Sequence, residues 1–205
     1  YACLTGMREQ GTLVSYFTQA MHEGMWSMLI DLSGVDDRRN DPDVTVDIYA
    51  GQDAMPMDST GKVLTYASLT ASADPRFHRQ FKARIIDGVL ETMPAADLLI
   101  PDTQAKFRPP MRIQRPKLKL TIQNDGSAKG YLGGYIATER LTQSSFDGEA
   151  ELAKGLPCDG VWHALQKFAD GARDHSTGKC NSISTAFRVE TVPAFIVSPR
   201  ITARN

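Results

Sequence analysis

The chain has 205 residues, 41% of them hydrophobic, with 23 basic against 24 acidic side chains and a formal net charge of −1. Such balance supplies no field for holding a polyanion, which argues against nucleic acid as a partner. No run approaches the roughly 20 apolar residues that cross a bilayer as a helix, so no transmembrane segment is expected. A single domain over residues 1–205 is the expectation, because β-rich domains reach this size undivided.

In chain order, Leu13, Val14, Phe17, Ala20 and Met21 fall on one helical face, and Gly24 is placed to stop that lead helix. Met28, Ile30 and Leu32 then alternate with Ser27, Leu29 and Asp31, the period of two of a strand. An acidic turn-rich stretch, residues 34–43, leads to a second alternation at Val44, Val46 and Ile48. Residues 50–76 read as a long surface excursion with one short strand at 63–67. Residues 81–86 and 89–93 flank Asp87-Gly88, whose pairing predicts a hairpin with a type I′ turn.

Residues 101–116 are proline-rich and read as a connection. Arginines and lysines gather from Arg108 to Lys119, but prolines interrupt them and Lys117 and Lys119 alternate with apolar residues, as on a solvated strand face. Leu118, Leu120 and Ile122 predict a strand, Asn124-Asp125-Gly126 a turn, and residues 131–137 its returning partner. Gly133-Gly134 inside that partner predicts a close backbone approach, with a bulge or covering aromatic ring as the plain cause and a ligand as the sharper one. Residues 146–155 suggest a short helix. Val161, Ala164, Leu165, Phe168 and Ala169 predict another, with Asp159 as its cap and His163 facing solvent. A final strand alternates at Ile183, Thr185, Phe187 and Val189.

Cys158 and Cys180 sit at the edges of elements. They stand either as two reduced thiols or as a disulfide closing a loop of about 20 residues, which would contribute about 3 kcal/mol and require an oxidising compartment. The bridge is the favoured reading, pinning the C-terminal helix to the final strand. Cys3 is left over, near the first residue of a chain that opens at Tyr1 and reads as processed or partial.

No catalytic residue set is recognisable: the chain lacks a G-x-S-x-G elbow, a phosphate loop, H-E-x-x-H and C-x-x-C-H, and His22, His78, His163 and His175 are scattered. Calcium is the first candidate cofactor, through Asp36, Asp37, Asp41 and Asp43 in one loop, although their spacing is not that of an EF-hand and Arg38 and Arg39 offset their charge. Asp170, Asp174 and Thr177 form a second oxygen-rich loop. Met21, His22, Met25 and Met28, with Met55 and Met57, supply soft ligands for copper or haem, but their spacing suits core packing better.

Several pieces together resemble a group of exported proteobacterial proteins of unassigned function, common in myxobacteria. They are the helix leading into residues 24–32, the acidic loop before Val44-Thr45-Val46, the Gly-x-Leu-Gly-Gly pattern at residues 130–134, and Cys180-Asn181-Ser182-Ile183-Ser184 ahead of a strand ending in Val192-Pro193-Ala194-Phe195. The resemblance implies export, to the periplasm or the outer cell envelope, and a β-rich architecture; it carries no site residues. The fold expected is mainly β, a sandwich of two antiparallel sheets with an N-terminal helix and a disulfide-pinned C-terminal helix. The function expected is a non-catalytic exported binding domain or accessory subunit with a protein partner. The alternative is a metal-binding protein, either calcium-stabilised or a soft-metal redox partner.

Overall fold

The computed structural model describes residues 19, 23, 27–101, 110–146, 158–173 and 175–198. Its strands are β1 (Ser27–Ser33), β2 (Asp41–Gly51), β3 (Ala67–Thr70), β4 (His78–Ile86), β5 (Val89–Thr92), β6 (Leu98–Ile100), β7 (Met111–Ile122), β8 (Ala128–Ala137), β9 (Gly171–Arg173), β10 (Cys180–Thr191) and β11 (Ala194–Val197). Two helices, α1 (Thr138–Phe146) and α2 (Cys158–Phe168), lie between β8 and β9. The chain is mainly β, as expected. Most of the lead helix lies outside the described residues, although Gln19 is helical and its carbonyl accepts a bond from the Glu23 amide at 2.9 Å.

The architecture differs from two packed antiparallel sheets. Nine strands form one antiparallel sheet in the order β1-β2-β4-β5-β7-β8-β10-β9, with β6 also on β7, and β3 and β11 form a separate parallel pair. β5 and β6 lie end to end along the same side of β7 as halves of one interrupted strand. The interruption is chemical: the buried Thr92 hydroxyl accepts from the Leu118 amide at 2.8 Å, where the strand ladder would otherwise supply a carbonyl. The hairpin at Asp87-Gly88 forms as the dipeptide predicts, with φ of 50° and 77°, the two positive values of a type I′ turn.

Alternation along the strands puts Val44, Val46, Ile48, Phe81, Ala83, Ile85, Leu90, Leu118, Leu120, Leu132 and Val189 into one buried cluster. Met28, Ile30 and Leu32 pack against it, while Leu29 points to the opposite face of β1 and joins Leu69 and Ala71 of the β3 region, with Tyr49, Met55 and Ile196 alongside. The parallel pair therefore covers the outer face of β1–β2 only.

Connectivity requires the large sheet to be strongly coiled. Thr191 ends β10 at the level where β2 begins, five strands away from β2. In a flat sheet it would lie about 40 Å from Gly51, from strand spacings of about 4.8 Å and a rise of about 3.3 Å per residue along β2. Yet residues 192–197 reach at most about 20 Å, and Val197 bonds the Ala71 amide, which bridges to Gly51 across lateral steps of about 5 Å each. The deficit is closed only by coiling, and β11 is the strap that spans the coil.

The short strand of the excursion is β3 rather than 63–67, where Val63 makes only a bridge to Met57. Residues 111–116 belong to β7 rather than to a proline-rich connection, because a bulge between Gln114 and Lys117, with Arg115 at φ 49°, accommodates Pro116 within the strand. That bulge also accounts for Gly134, where a Cβ would fall 2.9 Å from the Gln114 carbonyl. Helix α1 covers 138–146 where no element was expected, and residues 147–155 of the expected helix lie outside the described set. Helix α2 begins at Cys158, which places Asp159 inside its first turn.

Thr92→Val keeps the shape but leaves the Leu118 amide unpaired; it should lower unfolding free energy by about 1–3 kcal/mol in urea titration, with the same m-value.

Candidate functional site

Asp41 is buried, and its carboxylate accepts backbone amides from Asp36 at 2.7 Å, Asp37 at 3.3 Å and Asp43 at 3.1 Å. Asp43 pairs with Lys82 at 2.9 Å, and Asp37 accepts from the Arg39 amide at 2.8 Å. The Asp41 and Asp37 carboxylates are thus directed into loop closure and that of Asp43 toward Lys82, and among the described residues no three His, Cys, Asp or Glu side chains converge as cation ligands. The calcium expectation gains no support from this geometry, in which Asp41 fastens the loop. The same three amides, with those of Asp36 and Asp43 foremost, hold the Asp41 carboxyl below the usual carboxylate range against the opposing effect of burial.

Of the second oxygen-rich loop, Asp170 accepts the Ser184 amide at 2.7 Å and the Ser184 hydroxyl at 2.5 Å, whereas Asp174 lies outside the described residues. Met21, His22 and Met25 also lie outside them. Met28 and Met55 pack in the two apolar clusters, as core spacing predicts.

The expected Cys158–Cys180 clasp is corrected: Cys180 carries a free thiol, and the Cys158 side chain is not among those described. Helix α2 places Cys158 at the end opposite the one that joins β9, about 15 Å away along the axis. A hydrogen-bond chain takes over the joining role. The Thr138 hydroxyl donates to the Asn181 carbonyl at 3.1 Å and accepts from the Gln166 amide at 3.1 Å, tying α1, α2 and β10 together around buried Leu165. Cys3 lies outside the described residues.

Three surface constellations remain. On the outer face of β2 and β4, His78 Nε2 lies 2.6 Å from Asp47, Gln80 donates to the same carboxylate at 3.2 Å, and Tyr49 stacks on the His78 ring at 4.4 Å. Burial, then the negative charges of Asp47 and Asp31, push the Tyr49 hydroxyl above its usual range. The second is the strap. Leu64, Tyr66, Val192, Phe195 and Val197 are all exposed large apolar side chains on or beside β3–β11, with Tyr66 62% and Phe195 59% exposed and their rings 6.3 Å apart.

The third is a cleft of about 330 Å³ on the outer face at the β9 edge, lined by Arg115, Tyr135, Gly171, Arg173, His175 and Cys180. Tyr135 and Cys180 reach it because they share the outward parity of β8 and β10, opposite to Leu132 and Val189. Sequence reasoning missed β9 and the bulge, and so missed the cleft. Its only legible trace is the Tyr135 and Cys180 parity.

Asp41→Asn should lower the melting temperature at pH 7. The folded-state pKa of Asp41 is depressed, so its contribution is full above the unfolded value near 4 and fades as pH falls through the lower folded value. Melting curves from pH 7 to pH 2 should therefore show the gap between parent and variant closing in acid. No protein-family model, curated protein or solved structure matches this chain.

Proposed function

We propose that this chain is a non-catalytic binding module, an accessory subunit that docks onto a protein partner of the cell envelope through the β3–β11 strap. The observation that carries this reading is the concentration of exposed apolar side chains there, Leu64, Tyr66, Val192, Phe195 and Val197. Soluble surfaces rarely gather such side chains without a partner to cover them, and aromatic anchors are the residues that dominate protein interfaces.

Backbone geometry adds to it. β11 pairs with β3 on one side only, so among the described residues its other edge keeps unspent amides and carbonyls. An extended segment of a partner can add a strand to such an edge. Placement in the periplasm or outer envelope rests on the resemblance of the sequence motifs, since the free Cys180 thiol withdraws the argument from disulfide chemistry.

A photoreactive amino acid placed at Phe195 in cells that produce the protein should give a discrete cross-linked species. The same residue at Arg84, on the ion-paired part of the sheet, should not. Tyr66→Ser with Phe195→Ser should weaken the captured complex at least tenfold, about 1.4 kcal/mol, while leaving the melting temperature nearly unchanged. Equal labelling from both positions would refute the docking face.

A further inference from the structure

We propose that the cleft at the β9 edge binds a small ligand bearing an oxyanion, with Arg115 and Arg173 as the charge partners and Tyr135 as the wall. Its volume of about 330 Å³ lies at the lower end of the range for small-molecule sites. Arg39, Arg76, Arg84, Arg112 and Arg188 each have an acidic partner. Among the described residues the Arg115 and Arg173 guanidinium groups have none; Arg38 and Arg79 have none either, but of these four only Arg115 and Arg173 border this cavity. Asp170, the acid at the rim, has both carboxylate oxygens engaged by Ser184. Among the described residues, two unspent planar donors against one committed carboxylate leave the cavity with a positive balance, and guanidinium matches carboxylate and phosphate oxygens in a bidentate fork.

The backbone is arranged to present these groups. Arg115 sits within the β7 bulge at φ 49°, and Ala172, between Gly171 and Arg173, adopts φ 47°. Two of the four described non-glycine residues with positive φ thus border this one cleft, and such strain collects where a side chain must be aimed. Gly171 is required beneath the ring: a Cβ there would lie 2.6 Å from Tyr135 Cε1 and 2.8 Å from Ser182 Oγ. That Ser182 hydroxyl, behind Gly171 and not itself lining the cleft, is fully buried and has no hydrogen-bond partner among the described residues.

Cys180 in the wall is a built-in reporter. In a Cys3→Ser/Cys158→Ser protein it is the sole thiol, and its reaction with methanethiosulfonates forms a mixed disulfide as the thiolate displaces methanesulfinate. Rates would be measured with the anionic 2-sulfonatoethyl and the cationic 2-trimethylammonioethyl reagents, each divided by its rate with free 2-mercaptoethanol. The normalised anion-to-cation ratio should be about tenfold or more, at the lower end of the range of electrostatic focusing by a charged cleft. It should fall to about one in Arg115→Gln/Arg173→Gln and persist in Arg115→Lys/Arg173→Lys, which keeps the charge and controls for altered folding. Inorganic phosphate and acetate, added separately, should slow the anionic reagent in the parent and not in the glutamine variant. The stronger competitor identifies a phosphorylated or a carboxylated ligand. A parent ratio at or below one, or a ratio unchanged in the glutamine variant, overturns the proposal.

Discussion

Burial of one face of a long antiparallel sheet is the constraint from which the rest of this molecule follows. Strands with a period of two send every second side chain to the same side, and here that side is apolar from β2 through β10. Each buried aliphatic or aromatic side chain is worth roughly 1.5–3 kcal/mol only if water is excluded from it. The parallel β3–β11 pair covers just the outer face of β1–β2. Among the described residues no second layer covers the opposite, apolar face, and the sheet coils around it; β11 lies where it does because coiling brings the end of β10 within reach of β2.

Coiling also sorts the outer surface into different kinds of territory. Its middle is laced with ion pairs, such as Lys117–Glu91 at 2.5 Å and Lys82–Asp43 at 2.9 Å, which accounts for part of the basic run that ends at Lys119. Exposed pairs of this kind contribute little stability, but they occupy much of that region's charge. Toward the edges the pattern changes. The strap exposes rings that nothing among the described residues covers, and the β9 cleft holds guanidinium groups without acids. The two proposed interaction surfaces fall where the sheet's own pairing runs out.

The acidic residues show a second economy. Asp41, Asp58, Asp74, Asp125 and Asp170 each accept hydrogen bonds from backbone amides of nearby turns or strands, and each carboxyl is held below its usual range mainly by those bonds or by the side chains beside them. Loops rich in aspartate are here loops fastened by aspartate. Ligand-like composition has another use here, since these oxygens face amides.

Strand alternation at β1, β2, β4, β7, β8 and β10, the Asp87-Gly88 hairpin and the close approach at Gly134 could be read from the residues, because each depends on neighbours within a few positions. The sequence did not disclose β6, β9, α1, the coil or the cleft. β6 and β9 are three-residue strands whose existence depends on pairing with β7 and β10 rather than on any pattern of their own. The Thr138 hydrogen-bond chain joins residues far apart in sequence in the role expected of Cys158 and Cys180. Arg115 and Arg173 stand 58 positions apart and share a cavity only after a bulge and a sheet edge bring them together. Local chemistry writes period and turn into the chain, whereas long-range pairing decides which of its side chains meet.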